Sequence, residues 1–288
     1  MFVVSLIAKP GALDPALVTS LQTAFGGGSA NWLAPDEAAE FPVEETPSNL
    51  EDVRSEVAGL GVDLNIVPKE NRRKRLLIAD MDSTMIGQEC IDELADEAGV
   101  GAHVADITAR AMNGELNFEA AIDERVGLLK GLPVTVIQKV LDTRITLAPG
   151  GITLLKTMKA NGAYAALVSG GFVQFTSAIA AKLGFDENRA NTLIENGDVL
   201  AGTVQRPILG QDAKVEALDE ITARLGITAD DAVAVGDGAN DLKMIHRAGM
   251  GVALHAKPTV AAAAPVKVNN GDLTSLLYLQ GHAKSDFV

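Results

Sequence analysis

Hydrophobic and polar positions change rhythm along the chain. Over residues 1–70, periods of two and of 3.6 alternate. The apolar run at 2–8 predicts a strand, 14–25 a helix, 29–45 a pair of strands, 48–60 a second helix and 62–67 a last strand. Pro10 and Gly11 part the first strand from its helix, for which Asp14 serves as N-cap and Pro15 opens the first turn. Strand, helix, strand, strand, helix, strand is the split βαβ order of a small α+β unit. From Leu76 the strands become short unbroken apolar runs, at 76–79, 163–168, 232–235, 251–254 and 266–268, separated by helical stretches. That pattern predicts an α/β domain, a parallel sheet covered on both faces. Between the first two of these strands helical spacing recurs at 88–99, 103–112, 117–130 and 133–142, which predicts a helical cap inserted over the sheet. Asn196-Gly197 between alternating flanks within 191–205 predicts a hairpin.

Charge narrows the partners. Acidic residues outnumber basic ones by 38 to 24, leaving a formal net charge of −14, and 47% of the chain is apolar. Such a surface repels phosphodiester backbones and anionic lipid, so neither nucleic acid nor membrane is an expected partner. The one basic run, Arg72-Arg73-Lys74-Arg75, reads as a solvated linker before a strand. The single cysteine, Cys90, cannot form an intrachain disulfide or a thiolate-rich metal site, which points to a cytoplasmic protein. The apolar start lacks the positive flank of a secretory signal, and no apolar stretch approaches the roughly 20 residues that span a bilayer. His103, His246, His255 and His282 show no ligand spacing and are expected at surface or structural positions; Cys90, with no activating base in view, is expected to be a small packed residue.

The chemistry lies at strand ends, where open parallel sheets bind ligands. The first apolar run passes directly into Asp80-Met81-Asp82-Ser83-Thr84, and a period of two sends Asp80 and Asp82 to one side. Adjacent carboxylates repel unless a cation lies between them, and a hard ion such as Mg²⁺ suits oxygen donors. The run at 232–235 also ends in carboxylates, through Gly236-Asp237-Gly238-Ala239-Asn240-Asp241. Asp237 is the better metal ligand there, and Asp241 is placed to hold Asp237, the metal's waters or a neighbouring backbone group. Ser169-Gly170-Gly171, at a third strand end, offers a hydroxyl and two unencumbered amides to phosphate oxygens. Lys214 can supply a positive charge to a phosphoryl group and to Asp80. Taken singly, each piece reads as a turn, a helix cap or a solvated lysine.

Together, and in this order, Asp80-x-Asp82-x-Thr84, Ser169, Lys214 and Gly236-Asp237-Gly238-x-x-Asp241 resemble the four motifs of the haloacid dehalogenase superfamily over roughly 76–280. The resemblance implies a Rossmann-like core at 71–288, with the cap at about 87–148; the segment 1–70 resembles an ACT-like, ferredoxin-like regulatory domain. Asp80 to Ile86 with Glu89, the stretch Glu124 to Leu132, and Gly236 to Leu242 followed by His255-Ala256-Lys257-Pro258 are most similar to the branch that hydrolyses O-phosphoserine. That similarity implies Asp80 as nucleophile, Asp82 as proton donor and later base, and Ser169 and Lys214 as charge-stabilising catalytic groups. It implies a Mg²⁺ ion on Asp80, Asp82 and Asp237, and substrate contacts from Glu89, Arg125, Ser169, Gly170, Gly171, Lys214 and Asn240. The implied role is the final step of serine formation. Glu89 and Arg125 carry the right charges for an ammonium and a carboxylate, although exposed charged residues on helices are commonplace. Met112 is expected either in the core or lining the pocket. A homodimer is left open.

Two rivals remain from the sequence. One passes the phosphoryl group to another hydroxy amino acid; the other is an amino-acid sensor whose hydrolase domain is inactive, against which the intact set Asp80, Asp82, Ser169, Lys214 and Asp237 argues.

Overall fold

The structure, a computed structural model, describes residues 1–112 and 115–288; the Met112 side chain, and with it the expectation for that residue, lies outside the described residues. The chain opens with β1 (Phe2–Ala8), α1 (Pro15–Ala24), β2 (Asn31–Ala34), β3 (Ala38–Val43), α2 (Leu50–Ala58) and β4 (Val62–Pro68). The four strands form an antiparallel sheet in the order β2-β3-β1-β4. Asp14 caps α1 by accepting from the Ala16 amide at 2.7 Å. Alternation along β1 explains why it is apolar at nearly every position. Val4, Leu6 and Ala8 pack under α1 and α2, while Val3 and Ile7 face the main core of the rest of the chain, so both faces are covered.

The larger sheet is parallel throughout and has six strands in the order β12-β11-β10-β5-β6-β7. These are β5 (Leu76–Ala79), β6 (Tyr164–Phe172), β7 (Glu187–Asn191), β10 (Ala232–Gly236), β11 (Met250–Leu254) and β12 (Val266–Val268). β5 lies in the middle. Its Leu77 and Ala79 join one buried cluster and its Leu76 and Ile78 the other, the two-sided burial that its unbroken apolar run requires. Between β5 and β6 the cap contributes α3 (Cys90–Glu97), α4 (Gly101–Met112), α5 (Phe118–Gly127) and α6 (Thr135–Thr143), followed by α7 (Gly151–Ala160). The two chain segments leading into and out of the cap run side by side: the Gly87 amide donates to Thr146 O at 3.0 Å and the Ala148 amide to Met85 O at 2.9 Å. After α8 (Val173–Leu183), the hairpin β8 (Leu193–Asn196) and β9 (Val199–Val204) projects from the sheet and bonds to the cap, Gly131 N to Leu200 O at 2.9 Å and Leu200 N to Leu132 O at 2.8 Å. The helices α9 (Gln211–Leu225), α10 (Leu242–Arg247), α11 (Pro258–Ala263) and α12 (Ser275–Leu279) complete the chain.

Within the basic run before β5, Arg73 and Arg75 are exposed as expected of a solvated linker, but Arg72 departs from that expectation. Arg72 pairs with Glu40 of β3 at 2.6 Å and donates to Leu279 O at 3.2 Å, so it ties the two sheets together from a nearly buried position. The same seam carries Asp63, whose carboxylate accepts from the amides of Asn269, Asn270 and Gly271 at 3.0, 2.9 and 3.0 Å. Asn65 binds both peptide groups of Lys267, at 2.8 and 2.9 Å, and occupies the outer edge of β12 as a further strand would. Among the described residues, no helix is long and apolar enough to cross a membrane.

Candidate active site

The site is built where β5 and β10 end. The Asp80 amide still donates to Val235 O at 3.0 Å, so this first residue past β5 is held in the sheet and its carboxylate stands at the carboxyl edge. Beyond it the chain coils instead of continuing as a strand. The amides of Met85 and Ile86 both reach Met81 O, at 2.9 and 3.1 Å, and Ser83 adopts a left-handed φ of 54°. This coil ends the period of two that put Asp82 beside Asp80. Asp82 Oδ1 instead accepts from the Cys90 amide at 3.2 Å, and a methyl group built on Gly171 would lie 2.7 Å from its Oδ2. Asp82 therefore faces the end of β6.

Just past β10, Asp237 Oδ1 accepts from the Thr84 hydroxyl at 3.0 Å. Asp241 turns back to accept from the amides of Asp237 and Gly238 with Oδ2, at 3.2 and 3.0 Å, and its other oxygen meets Lys214 Nζ at 2.6 Å. A Cβ on Gly236 would collide with the Asp241 carboxyl group, which is why that strand must end in glycine. Lys214, in the first turn of α9, has no exposed surface and also reaches Asp80 Oδ2 at 2.9 Å. One buried ammonium thus joins the carboxylates from the ends of two adjacent strands.

Asp80, Asp237 and Asp241 each offer an oxygen within 4.8 Å of the others, all three buried. The sequence expects Asp82 with Asp80 and Asp237; the carboxylate that joins those two in the described residues is that of Asp241, while the Asp82 carboxylate accepts from the Cys90 amide. Burial, with Asp241 and Asp80 next, pushes the Asp237 carboxyl well above its ordinary range, and burial with Asp80 pushes Asp241 up to about 6. Burial alone would lower the Lys214 ammonium, but Asp241 and Asp80 outweigh it and hold the pKa above its usual value. Three buried acids against one lysine leave the cluster short of positive charge, and all its donors are hard oxygens. The residues present fit a divalent cation.

The last residues of β6, where its pairing with β7 is irregular between Val168 and Phe172, supply the facing wall. Ser169 is fully buried, and its Oγ accepts from the Gly171 amide at 2.9 Å, leaving the hydroxyl proton free to be donated. Asn191 anchors this segment: its amide group donates to Gly170 O at 2.8 Å and to Leu209 O at 3.2 Å, and accepts from Leu209 N at 2.7 Å. Nothing in the local sequence marks Asn191 for that task. Phe118 of the cap lies against this segment so closely that a Cβ on Gly170 would come within 2.8 Å of its ring.

A single cavity is lined by Asp80, Asp82, Ser169, Gly170, Gly171 and Asn240 from the core and by Glu89 and Arg125 from the cap. Lys214 and Asp237 lie outside that lining, behind Asp80. Glu89 precedes α3 and accepts from the Ser83 hydroxyl at 2.6 Å; burial, then Asp82 and Asp237, raise its carboxyl well above the ordinary range. Arg125 is buried on α5. Burial, then Asp80, push the Asp82 carboxyl up to about 7. Cys90 is buried in the cap core, and among the histidines His282 is buried while His103 stands within 4.0 Å of Glu124 at the surface.

Residues 77–246 match the family model of haloacid dehalogenase-like hydrolases. Similar proteins include phosphoserine phosphatases of Archaeoglobus fulgidus, 44% identical over 78% of this chain and 65% of that one, and of Streptomyces coelicolor, 41% identical over 88% and 62%. The chain therefore spans just under two thirds of the length of these two relatives. The phosphoserine phosphatase of Methanocaldococcus jannaschii is 42% identical over 72% of this chain and 97% of its own. Among solved structures, a HAD family hydrolase from Salmonella enterica subsp. enterica serovar Typhi superposes with a TM-score of 0.86 at 33% identity, covering 96% of this chain and 97% of that one. A phosphoserine phosphatase solved with a phospho-aspartyl intermediate analogue gives 0.69 at 42% identity, covering 72% and 98%.

Proposed function

The chain belongs to the haloacid dehalogenase-like hydrolase family, and from that premise we propose that it hydrolyses O-phospho-L-serine to L-serine and phosphate in the cytoplasm, as the last step of serine formation. One observation carries the reading. A single cavity is lined from the core by Asp80, backed by Lys214, and by Ser169–Gly171, and from the cap by a carboxylate and a guanidinium, Glu89 and Arg125. Phosphoserine offers a phosphate to the core groups and an ammonium and a carboxylate to the cap groups. The relatives that bear the name phosphoserine phosphatase support the same substrate.

Asp80 attacks phosphorus in line, forming an aspartyl phosphate as the bond from phosphorus to the seryl oxygen breaks. Asp82, protonated for a large part of the time near neutrality because burial and Asp80 raise its pKa to about 7, gives its proton to the departing oxygen. It then takes a proton from the water that attacks the phosphorus, and Asp80 leaves as a free carboxylate. A carboxylate is a poor nucleophile towards a phosphate dianion, so charge must be cancelled. Lys214 and the Ser169 hydroxyl do so from fixed positions, while the Gly171 amide, expected free, is taken up by Ser169 Oγ. Asp80 and Asp237 would hold the Mg²⁺ ion, which supplies further positive charge against the phosphate oxygens.

Phosphate release from a panel of phosphorylated amino acids and sugars, with and without EDTA, tests the reading. Serine formation from phosphoserine, abolished by EDTA and by Asp80→Asn, is the expected outcome. Cleavage of sugar phosphates alone would refute the substrate, and a sequence-verified Asp80→Asn protein that turned over near the wild-type rate would refute the nucleophile.

A further inference from the structure

The cap contains a buried polar chain that the reaction itself does not use. Thr108 on α4 is 2% exposed; its hydroxyl donates to Asp92 Oδ1 of α3 at 2.6 Å and accepts from Arg125 Nη1 of α5 at 3.0 Å. A second bond fixes the same guanidinium, Arg125 Nε to Ala121 O at 3.0 Å, one helical turn back on α5. Three cap helices therefore meet at one hydroxyl, which sits among the apolar residues of the cap core.

The arrangement is directional. A hydroxyl has one proton, and here it goes to the carboxylate, so the oxygen's lone pairs are left to receive the arginine. Of the five N–H groups of a guanidinium, one Nε and one Nη1 hydrogen are used. The second Nη1 hydrogen and both on Nη2 remain, and Nη2 has no protein partner among the described residues. These form the end-on fork that binds a carboxylate with two parallel hydrogen bonds. Arg125 lines the cavity with Glu89, so the free fork and the acid share one wall. The long arginine side chain would otherwise lose much rotamer entropy on meeting a ligand, and the two bonds remove that freedom in advance.

We infer that Thr108, held by Asp92, is a positioning residue that sets the angle of the Arg125 fork and so makes the enzyme selective for substrates with a carboxylate. The inference rests on the proposed function and deepens it: the preferred substrate class is phosphate esters of amino acids, and O-phosphoethanolamine, which keeps the ammonium and lacks the carboxylate, is the discriminating probe.

The test compares the full-length wild type with Thr108→Val, Thr108→Ala, Thr108→Ser and Arg125→Lys, each on phosphoserine and on phosphoethanolamine. Loss of the hydroxyl in the valine variant should raise KM for phosphoserine about tenfold, with kcat within about twofold, and leave KM for phosphoethanolamine nearly unchanged. The serine variant, which keeps the hydroxyl, should restore the wild-type KM. The alanine variant gives the same reading should the valine side chain upset the cap. Combining Thr108→Val with Arg125→Lys should cost little more than Arg125→Lys alone, since the threonine acts through the arginine. Equal losses on both substrates, failure of serine to rescue, or an unchanged phosphoserine KM in the threonine variants while Arg125→Lys discriminates would overturn the inference and leave the proposed function standing. If Arg125→Lys itself fails to discriminate, the assignment of Arg125 to the substrate carboxylate falls, and this inference with it.

Discussion

Lys214→Met is the perturbation that weighs most on the site. The ammonium sits 2.9 Å from Asp80 and 2.6 Å from Asp241, with no exposed surface, so solvent screens neither contact. Methionine nearly conserves the volume and removes the charge. Two buried carboxylates are then left without their partner, a change that typically costs about 3–5 kcal/mol. A chain of this size has a urea dependence near the top of the usual range, about 3 kcal/mol per molar, so the midpoint should fall by about 1–2 M in EDTA. The cluster of Asp80, Asp237 and Asp241 becomes more anionic in the variant, so Mg²⁺ should recover part of that loss by binding the folded form alone. Turnover should fall by at least about a hundredfold, the usual cost of removing one fixed positive group from a developing anion. Equilibrium urea unfolding followed by circular dichroism, with and without Mg²⁺, reads the first effect, and phosphate release reads the second. A variant that unfolds in EDTA within about 0.5 M of wild type would show that Lys214 does not hold these acids together, and the electrostatic account of the site would fail.

Two further outcomes follow from other contacts. Gly171→Ala places a methyl group 2.7 Å from Asp82 Oδ2 and 3.1 Å from Ser169 Oγ, so it should lower kcat by about tenfold to a hundredfold through a displaced proton donor while the urea midpoint barely moves; an unaltered kcat would show that Asp82 has room to spare. His282 is buried, and that burial, with Arg73 and Arg72 nearby against Asp286, lowers its imidazole pKa below the ordinary 6.5. The unfolded chain then binds a proton more readily than the folded one, so this residue's share of stability is complete above pH 6.5 and is lost as pH falls towards the folded value. His282→Gln should lose less stability than wild type between pH 7.5 and 5.5 in urea titrations, and parallel losses would assign the acid sensitivity elsewhere.

The sheet and the ends of its strands were legible because burial on both faces leaves unbroken apolar runs, and each run that stops at an aspartate marks the edge where ligands bind. The joint order of the motifs, and no one piece alone, singles out Asp80, Asp237, Ser169 and Lys214. What the sequence could not carry were groups whose partners are distant along the chain. Strand alternation ends at Asp80, and the coil that closes on Met81 O, which leaves no mark in the apolar pattern, sends the Asp82 carboxylate towards the Cys90 amide. Arg72 looked like part of a solvated run because its partner, Glu40, belongs to another sheet. Asn191 and Thr108 are ordinary polar residues in their own segments; only the approach of the end of β6 in one case, and of three helices in the other, gives their hydrogen bonds meaning.

The side chain of Asn65 gives β12 a counterfeit neighbour. By taking both peptide groups of Lys267, while Asp63 gathers the amides of residues 269–271, the segment at β4 occupies the β12 border of the large sheet. A border so occupied is closed to the backbone of a passing molecule, and open strand borders are where proteins most readily stick to one another. Severed from residues 1–70, the hydrolase portion would bare that border all at once. Covering that border is left to two short side chains, Asn65 and Asp63, and it asks for no bound effector.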